Sequence, residues 1–361
     1  MKDIVKRSIL TVKPYLPGKP IDEVKRELGL KSVIKLASNE SPYGPSPKVR
    51  KAIIDAAKDI NRYPDGGCFS LRQALAKELD VFPSQLIFGN GSDEIIVMAV
   101  RAFAGEGDEV VMARPSFLIY EIASRIAGAK IKFVPLKNFR YDLERMEEAV
   151  SPRTKIIFIG NPDNPAGTYV TKKQVEDFLR KVRRNVIVFF DEAYFEFVKK
   201  SDYPDTIKLL RAHKNIVITR TFSKMYGLAG LRVGYGIADQ QIVSILDRVR
   251  EPFNINSMAQ AAALACLRDK SYYEKNLNII KKEREFLYEN FRKMKLPFVD
   301  SVTNFILLNV RRNSFQVSQQ LLKKGIIIRD MGFWGLDTYI RVTIGTPQEN
   351  RKFIQALKEV L

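Results

Sequence analysis

Between residues 86 and 239, short apolar runs alternate with amphipathic stretches, and nothing else in the chain limits its fold as strongly. The runs fall at 85–88, 109–112, 131–134, 155–159, 186–190, 216–219 and 233–237. Several are continuously apolar and rich in Val, Ile and Phe, the pattern of strands buried on both faces. Helical periodicity fills most of the gaps, for example at 95–103 and 172–181. This alternation predicts an α/β fold, with a mainly parallel central sheet and helices on both sides. The ends read differently. Residues 21–28 form a short amphipathic helix that Gly29 is placed to cap. From residue 257 a helical region runs through 272–294. A strand at 305–309, a helix at 315–323, strands at 326–329 and 339–344 and a last helix after Pro347 follow. The expected organisation is an N-terminal arm with part of a small domain (1–50), a large domain (51–256) and a small α+β domain (257–361). A cleft between two such lobes is a common place for a ligand.

The chain is long enough for this, with 361 residues of which 45% are hydrophobic. No run approaches the roughly 18 uninterrupted apolar residues of a membrane span, and the first ten residues lack a signal-peptide pattern. The expected location is cytoplasmic. Two cysteines, Cys68 and Cys266, and one histidine, His213, are too few for a disulfide framework or a zinc site, so no metal is expected. A Ser-His-Asp hydrolase would need His213, yet its neighbours Arg211 and Lys214 read as a solvated helix end. The formal charge of +19 is spread along the chain, as in Lys181 to Arg184 and Lys281 to Arg284. It reads as a lysine-rich solvated surface that also steers phosphorylated ligands. With no nucleic-acid-reading module and no apolar span, neither nucleic acid nor membrane is expected as a partner.

Ligands of open α/β sheets sit beyond the carboxyl ends of the strands. Gly89-Asn90-Gly91-Ser92-Asp93-Glu94 follows the first run and opens a helix. Its glycines and free N–H groups suit a phosphate, and equally suit an ordinary capped strand-to-helix turn. Asn161-Pro162-Asp163-Asn164-Pro165-Ala166-Gly167-Thr168 follows the fourth run. It is a rigid turn, which also suits holding the Asn164 amide over a ligand. Asp191-Glu192-Ala193-Tyr194 follows the fifth run. A carboxylate at the end of an apolar strand is costly unless paired, and a protonated pyridine nitrogen would pair it. The Tyr194 hydroxyl suits a phenolic oxygen on such a ring. Ser223-Lys224-Met225-Tyr226-Gly227 follows the sixth run, with Arg232 eight positions beyond the lysine. A desolvated lysine near cations has a depressed pKa and serves as nucleophile, then as base. Ser223 and Arg232 suit a phosphate. No single motif decides; their order on one sheet supplies every contact that pyridoxal phosphate (PLP) needs.

The pattern resembles the aspartate-aminotransferase fold family of PLP enzymes (fold type I), and within it the histidinol-phosphate aminotransferases. The resemblance runs from about Lys13 to the C-terminus. It is most specific in Ala37-Ser38-Asn39-Glu40-Ser41-Pro42-Tyr43-Gly44-Pro45-Ser46, Asn61-Arg62-Tyr63-Pro64-Asp65, the Asp191 to Tyr194 tetrad, the segment 221–232, and Tyr339-Ile340-Arg341-Val342-Thr343-Ile344-Gly345-Thr346. It implies that Lys224 holds PLP covalently and shuttles the proton. Asp191 then pairs with the ring nitrogen, and Tyr194 and Asn164 contact the phenolic oxygen. Ser92, Asp93, Ser223 and Arg232 surround the phosphate. Phe117, in Arg114-Pro115-Ser116-Phe117, stacks on the ring where the family often has Tyr. Tyr63 reaches the phosphate in a partner subunit's site, which implies a homodimer with shared active sites. Arg341 and Arg329 hold acidic groups of the substrate, with Tyr15 and Asn39 nearby, while Trp334 reads as packing. The implied reaction joins histidinol phosphate and 2-oxoglutarate to imidazole acetol phosphate and glutamate. Three other readings stay open: an aromatic amino acid aminotransferase, a threonine-phosphate decarboxylase, and a non-enzymatic sensor domain of a transcription regulator. The last normally carries an added helix-turn-helix domain, for which the pattern leaves only a short N-terminal arm.

Overall fold

A computed structural model describes residues 4–14 and 18–361. The first sheet element, β1 (Ile34–Leu36), precedes seven strands of the central sheet: β2 (Leu86–Gly89), β3 (Glu109–Arg114), β4 (Lys130–Pro135), β5 (Thr154–Gly160), β6 (Ile187–Asp191), β7 (Ile216–Thr221) and β8 (Gly234–Ala238). β9 (Phe305–Asn309), β10 (Ile326–Asp330) and β11 (Tyr339–Thr343) complete the set.

The central sheet has the order β2-β8-β7-β6-β5-β3-β4. Only β8 runs against the other six strands, so the sheet is mainly parallel, as its apolar runs predict. Successive side chains point to opposite faces, and both faces are buried except along the edge strand β4. Ile156, Phe158 and Phe189 pack into one layer with Val110, Met112 and Val217. Ile157, Ile159, Val188 and Phe190 pack into the other with Val111 and Ile218. Each such side chain contributes about 1.5–3 kcal/mol by leaving water. The smaller sheet has the order β1-β10-β11-β9. The N-terminal β1 pairs parallel with β10, so residues from both ends of the chain build this sheet. The Ser257–Leu267 helix leans on the Pro47–Ala56 and Phe69–Leu79 helices.

Several strands run further than their apolar pattern, among them β6 and β7. β6 continues to Asp191, and β7 continues through Arg220 to Thr221. The charged residue that ends the β7 pattern stays in the strand because it is paired. The Arg220 guanidinium meets the Glu192 carboxylate at 2.8 Å, both buried, and lies 3.4 Å above the Phe195 ring. Thr206 donates to the other Glu192 oxygen at 2.6 Å. The helix after β2 starts at Ser92, immediately beyond Gly91.

Candidate active site

Register alone assembles the floor of the site. Gly160 at the end of β5 pairs with Asp191 at the end of β6, and Asp191 pairs with Thr219 of β7. The turns after these strands therefore open at one edge of the sheet. Lys224 rises from the turn beyond β7. Its Nζ donates to the Ser38 carbonyl at 3.2 Å and lies 5.8 Å from the centre of the Tyr194 ring. Burial, helped by the Arg341 guanidinium, holds the amine down at about 8. A substantial neutral fraction at working pH makes it a nucleophile and a base.

Asp191 is only 6% exposed. Its Oδ2 accepts the Tyr120 hydroxyl at 2.7 Å and its Oδ1 accepts the Ala193 N–H at 3.1 Å. Burial raises its pKa to about 6, while the Tyr120 bond pulls the other way. Tyr120 is fully buried and stacks on Phe158 at 4.7 Å. Sequence reasoning missed it. It sits three residues after Phe117, at a spacing that equally fits a core aromatic. Only the polar end of the ring, aimed at a buried carboxylate, gives it away.

Beside them lies an anion cradle. The Ser92–Phe103 helix begins here, with Ser92 and Asp93 in its first turn. Gly91 has φ +82°, and a Cβ there would strike the Arg232 guanidinium. A Cβ on Gly234 would stand 2.5 Å from the Ser92 backbone nitrogen. The two glycines keep that N–H and that guanidinium open. Arg232 donates to Asp93 at 3.2 Å, to Ser223 at 3.5 Å and to the Ala229 carbonyl at 3.2 Å. Helix-start N–H groups, a hydroxyl and a guanidinium form the donor set for a phosphate. With Asp191 and Lys224 in the same cavity, these residues fit the phosphate, ring nitrogen and aldehyde of the PLP expected from the sequence.

The opposite wall comes from the smaller sheet. Arg341 of β11 donates to the Asn164 side-chain oxygen and, at 2.8 Å, to the Ala37 carbonyl. Asn39 donates to the Tyr194 hydroxyl at 2.9 Å, and its backbone and side chain are tied to Thr343 and Asn304. Tyr194 is buried, which pushes its hydroxyl up to about 12. It therefore stays protonated and able to donate. Arg329 is the cross-strand partner of Arg341, so two guanidinium groups stand on neighbouring strands at the same wall.

A cavity of about 300 Å³ gathers these groups, with Phe117 and Trp334 also in its lining. The structure brings together every residue expected from the sequence except two. Tyr63 is 83% exposed and stacks on Phe253 at 4.8 Å, away from this cavity. Tyr15 lies outside the described residues. His213, at a helix end beside Arg184, takes no part. Trp334 belongs to the cavity wall rather than to packing alone.

The family model for class I and II aminotransferases matches residues 31–357. A histidinol-phosphate aminotransferase of Moorella thermoacetica is 47% identical, covering 99% of this chain and 92% of its own length. Another, of Caldicellulosiruptor saccharolyticus, is 48% identical, covering 98% of this chain and 99% of its own. Among solved structures, a histidinol-phosphate aminotransferase of Sinorhizobium meliloti in complex with pyridoxal-5'-phosphate superposes with a TM-score of 0.91. It is 28% identical, over 99% of this chain and 97% of that one. By sequence and by fold, this chain belongs to the class I and II aminotransferases and, among them, to the histidinol-phosphate aminotransferase family.

Proposed function

We propose that this aminotransferase uses PLP to move the amino group of histidinol phosphate to 2-oxoglutarate. The observation that carries the substrate is the Arg329 and Arg341 pair, in register on β10 and β11 and lining the same cavity as Lys224. Like charges set directly opposite are unfavourable in a sheet, and an anion relieves them. A planar guanidinium accepts a phosphate or a carboxylate through the same fork, so one wall serves both substrates.

When bound, PLP supplies an aldehyde carbon and a ring that withdraws electrons from the substrate's Cα. The chain does the rest. Asp191 holds the ring nitrogen protonated, and Tyr120 keeps that carboxylate charged and aimed. Tyr194 and Asn164 hold the phenolic oxygen, and Phe117 packs against the ring face. The N–H groups of Ser92 and Asp93, the Ser223 hydroxyl and Arg232 hold the phosphate. Lys224 would anchor the cofactor, and its free Nζ is placed to take a proton from the substrate's Cα and to return one in the reverse half-reaction. Asn39 orients Tyr194.

Tyr63, exposed in this chain, points to a homodimer in which it reaches the partner's cofactor phosphate. Residues 51–256 then carry the cofactor, with 1–50 and 257–361 forming the substrate wall. Among the described residues no helix is long and apolar enough to cross a membrane, and we place the enzyme in the cytoplasm. The test is a comparison of kcat/KM for histidinol phosphate and for phenylalanine, each with 2-oxoglutarate. The phosphate should favour histidinol phosphate by about a hundredfold or more, the scale of losing polar contacts that a site is built to make. Equal values, or a preference for phenylalanine, would move the chain to aromatic amino acids.

A further inference from the structure

Arg341 is held by Asn164 and by the Ala37 carbonyl. Arg329 stands opposite that charge, in the lining of the same cavity. Its guanidinium carbon lies 5.0 Å from the centre of the Trp334 ring, over the face. An aromatic face attracts a guanidinium, and the attraction strengthens away from bulk water.

The ring is itself fixed. Trp334 ends a short turn (Gly332–Trp334) that Gly335 closes in the left-handed region, φ +75°. Its Nε1 donates to the Ser116 carbonyl at 3.1 Å. Phe333 meets it edge-on at 5.6 Å. Ser116 directly precedes Phe117, whose ring lines the cofactor cavity. One indole thus touches the arginine of the smaller sheet on its face and, through its N–H, the turn beyond β3 of the central sheet. It is also the only tryptophan in the chain.

We propose that Trp334 is a positioning residue for the phosphate end of the substrate. It lays Arg329 on its face, so the guanidinium waits in its binding orientation, and ties that orientation to the turn carrying Phe117. This rests on the reading of Arg329 as a substrate-anion residue. An arginine already ordered loses less freedom when the anion arrives, so the effect falls on substrate affinity rather than on the proton transfer at Lys224.

The test uses the PLP-loaded enzyme with Trp334→Leu, Trp334→Phe, Arg329→Gln and the Trp334→Leu/Arg329→Gln double variant. Trp334→Leu should raise KM for histidinol phosphate about tenfold while kcat changes less than about twofold, the scale of one partly desolvated cation–ring contact. Trp334→Phe, which keeps a ring face, should recover most of that loss. In the Arg329→Gln background, Trp334→Leu should add almost nothing, because its effect passes through the guanidinium. An unchanged KM in Trp334→Leu, or a full additive loss in the double variant, overturns the proposal while leaving Arg329 as a substrate residue. A wild-type KM in Arg329→Gln instead sinks the arginine-pair reading and the clamp with it. If Trp334→Leu does not fold, Trp334→Met offers a longer, more adaptable side chain without an aromatic face and decides by the same comparisons.

Discussion

Lys224 and Asp191 are both driven toward their neutral forms by burial, and each is met by a neighbour that adjusts the result. In the cofactor-free chain the Lys224 amine sits near 8, lowered first by burial and then by Arg341. The neutral amine is the form that attacks an aldehyde, so PLP capture should accelerate as pH rises through 8 and level off above it. Arg341→Gln removes the second cause. The amine then protonates more readily, and the capture curve should move to higher pH. Stopped-flow absorbance after mixing with PLP reads both profiles, and coincident curves would contradict the coupling. Asp191 has the opposite sign. Its carboxylate must be ionised to hold a ring nitrogen, and burial has raised it to about 6. Tyr120→Phe deletes the donor that favours the charged form, so Asp191 takes up its proton at higher pH. PLP affinity near neutral pH should fall about tenfold, the scale of a hydrogen bond to a charged group. Equilibrium titration of the cofactor-free variant checks this, and unchanged affinity would leave Tyr120 a core ring. The sequence placed Lys224, Asp191 and Tyr194 in the candidate site because each lies at or just beyond the end of an apolar run, and Arg232 because it follows Lys224 by eight positions. Tyr120 and Trp334 were not legible in this way, because an aromatic in a helix or turn looks the same whether it packs or positions a charge.

At the scale of elements, the strand pattern carried nearly everything. Apolar runs located all seven central strands, and several of them are rich in Val, Ile and Phe because both faces of most of that sheet are buried. What the pattern hid was where strands stop. Arg220 reads as an end to β7, yet the strand continues because Glu192 neutralises it inside the protein. The direction of β8 was hidden too, because buried parallel and antiparallel strands share one composition. The Arg220 and Glu192 pair gives a prediction of its own. Glu192→Gln takes from a buried guanidinium the carboxylate it is bonded to, and the chain should lose about 3–5 kcal/mol of stability. Leu at 220 combined with Met at 192 removes both charges and should restore most of it. Denaturant unfolding of the cofactor-free proteins measures both, and a loss below about 1 kcal/mol for Glu192→Gln would show that water reaches the pair.

At the scale of the molecule, the cavity takes its floor from the central sheet and its arginine wall from the smaller one. Strand β1, from the N-terminal end, joins the C-terminal sheet, and periodicity alone does not show that long-range pairing. Among the described residues, Tyr63 is the one expected site residue that the single chain leaves exposed, at 83%, which suits a side chain that completes a second copy's site. Tyr63→Phe should weaken PLP retention. Mixing it with Lys224→Ala should restore part of the activity, since one hybrid site would hold both wild-type residues. Activity no greater than that of the two parents would confine each site to one chain.

The most direct measurement is an absorbance titration of the PLP-loaded enzyme with histidinol phosphate, with no keto acid present. The band of the lysine-bound cofactor should convert to that of the amine form in proportion to the substrate added, and 2-oxoglutarate should then restore it. A band that only phenylalanine or tyrosine discharges would contradict the substrate, and a protein that forms no such band with excess PLP would contradict the role of Lys224.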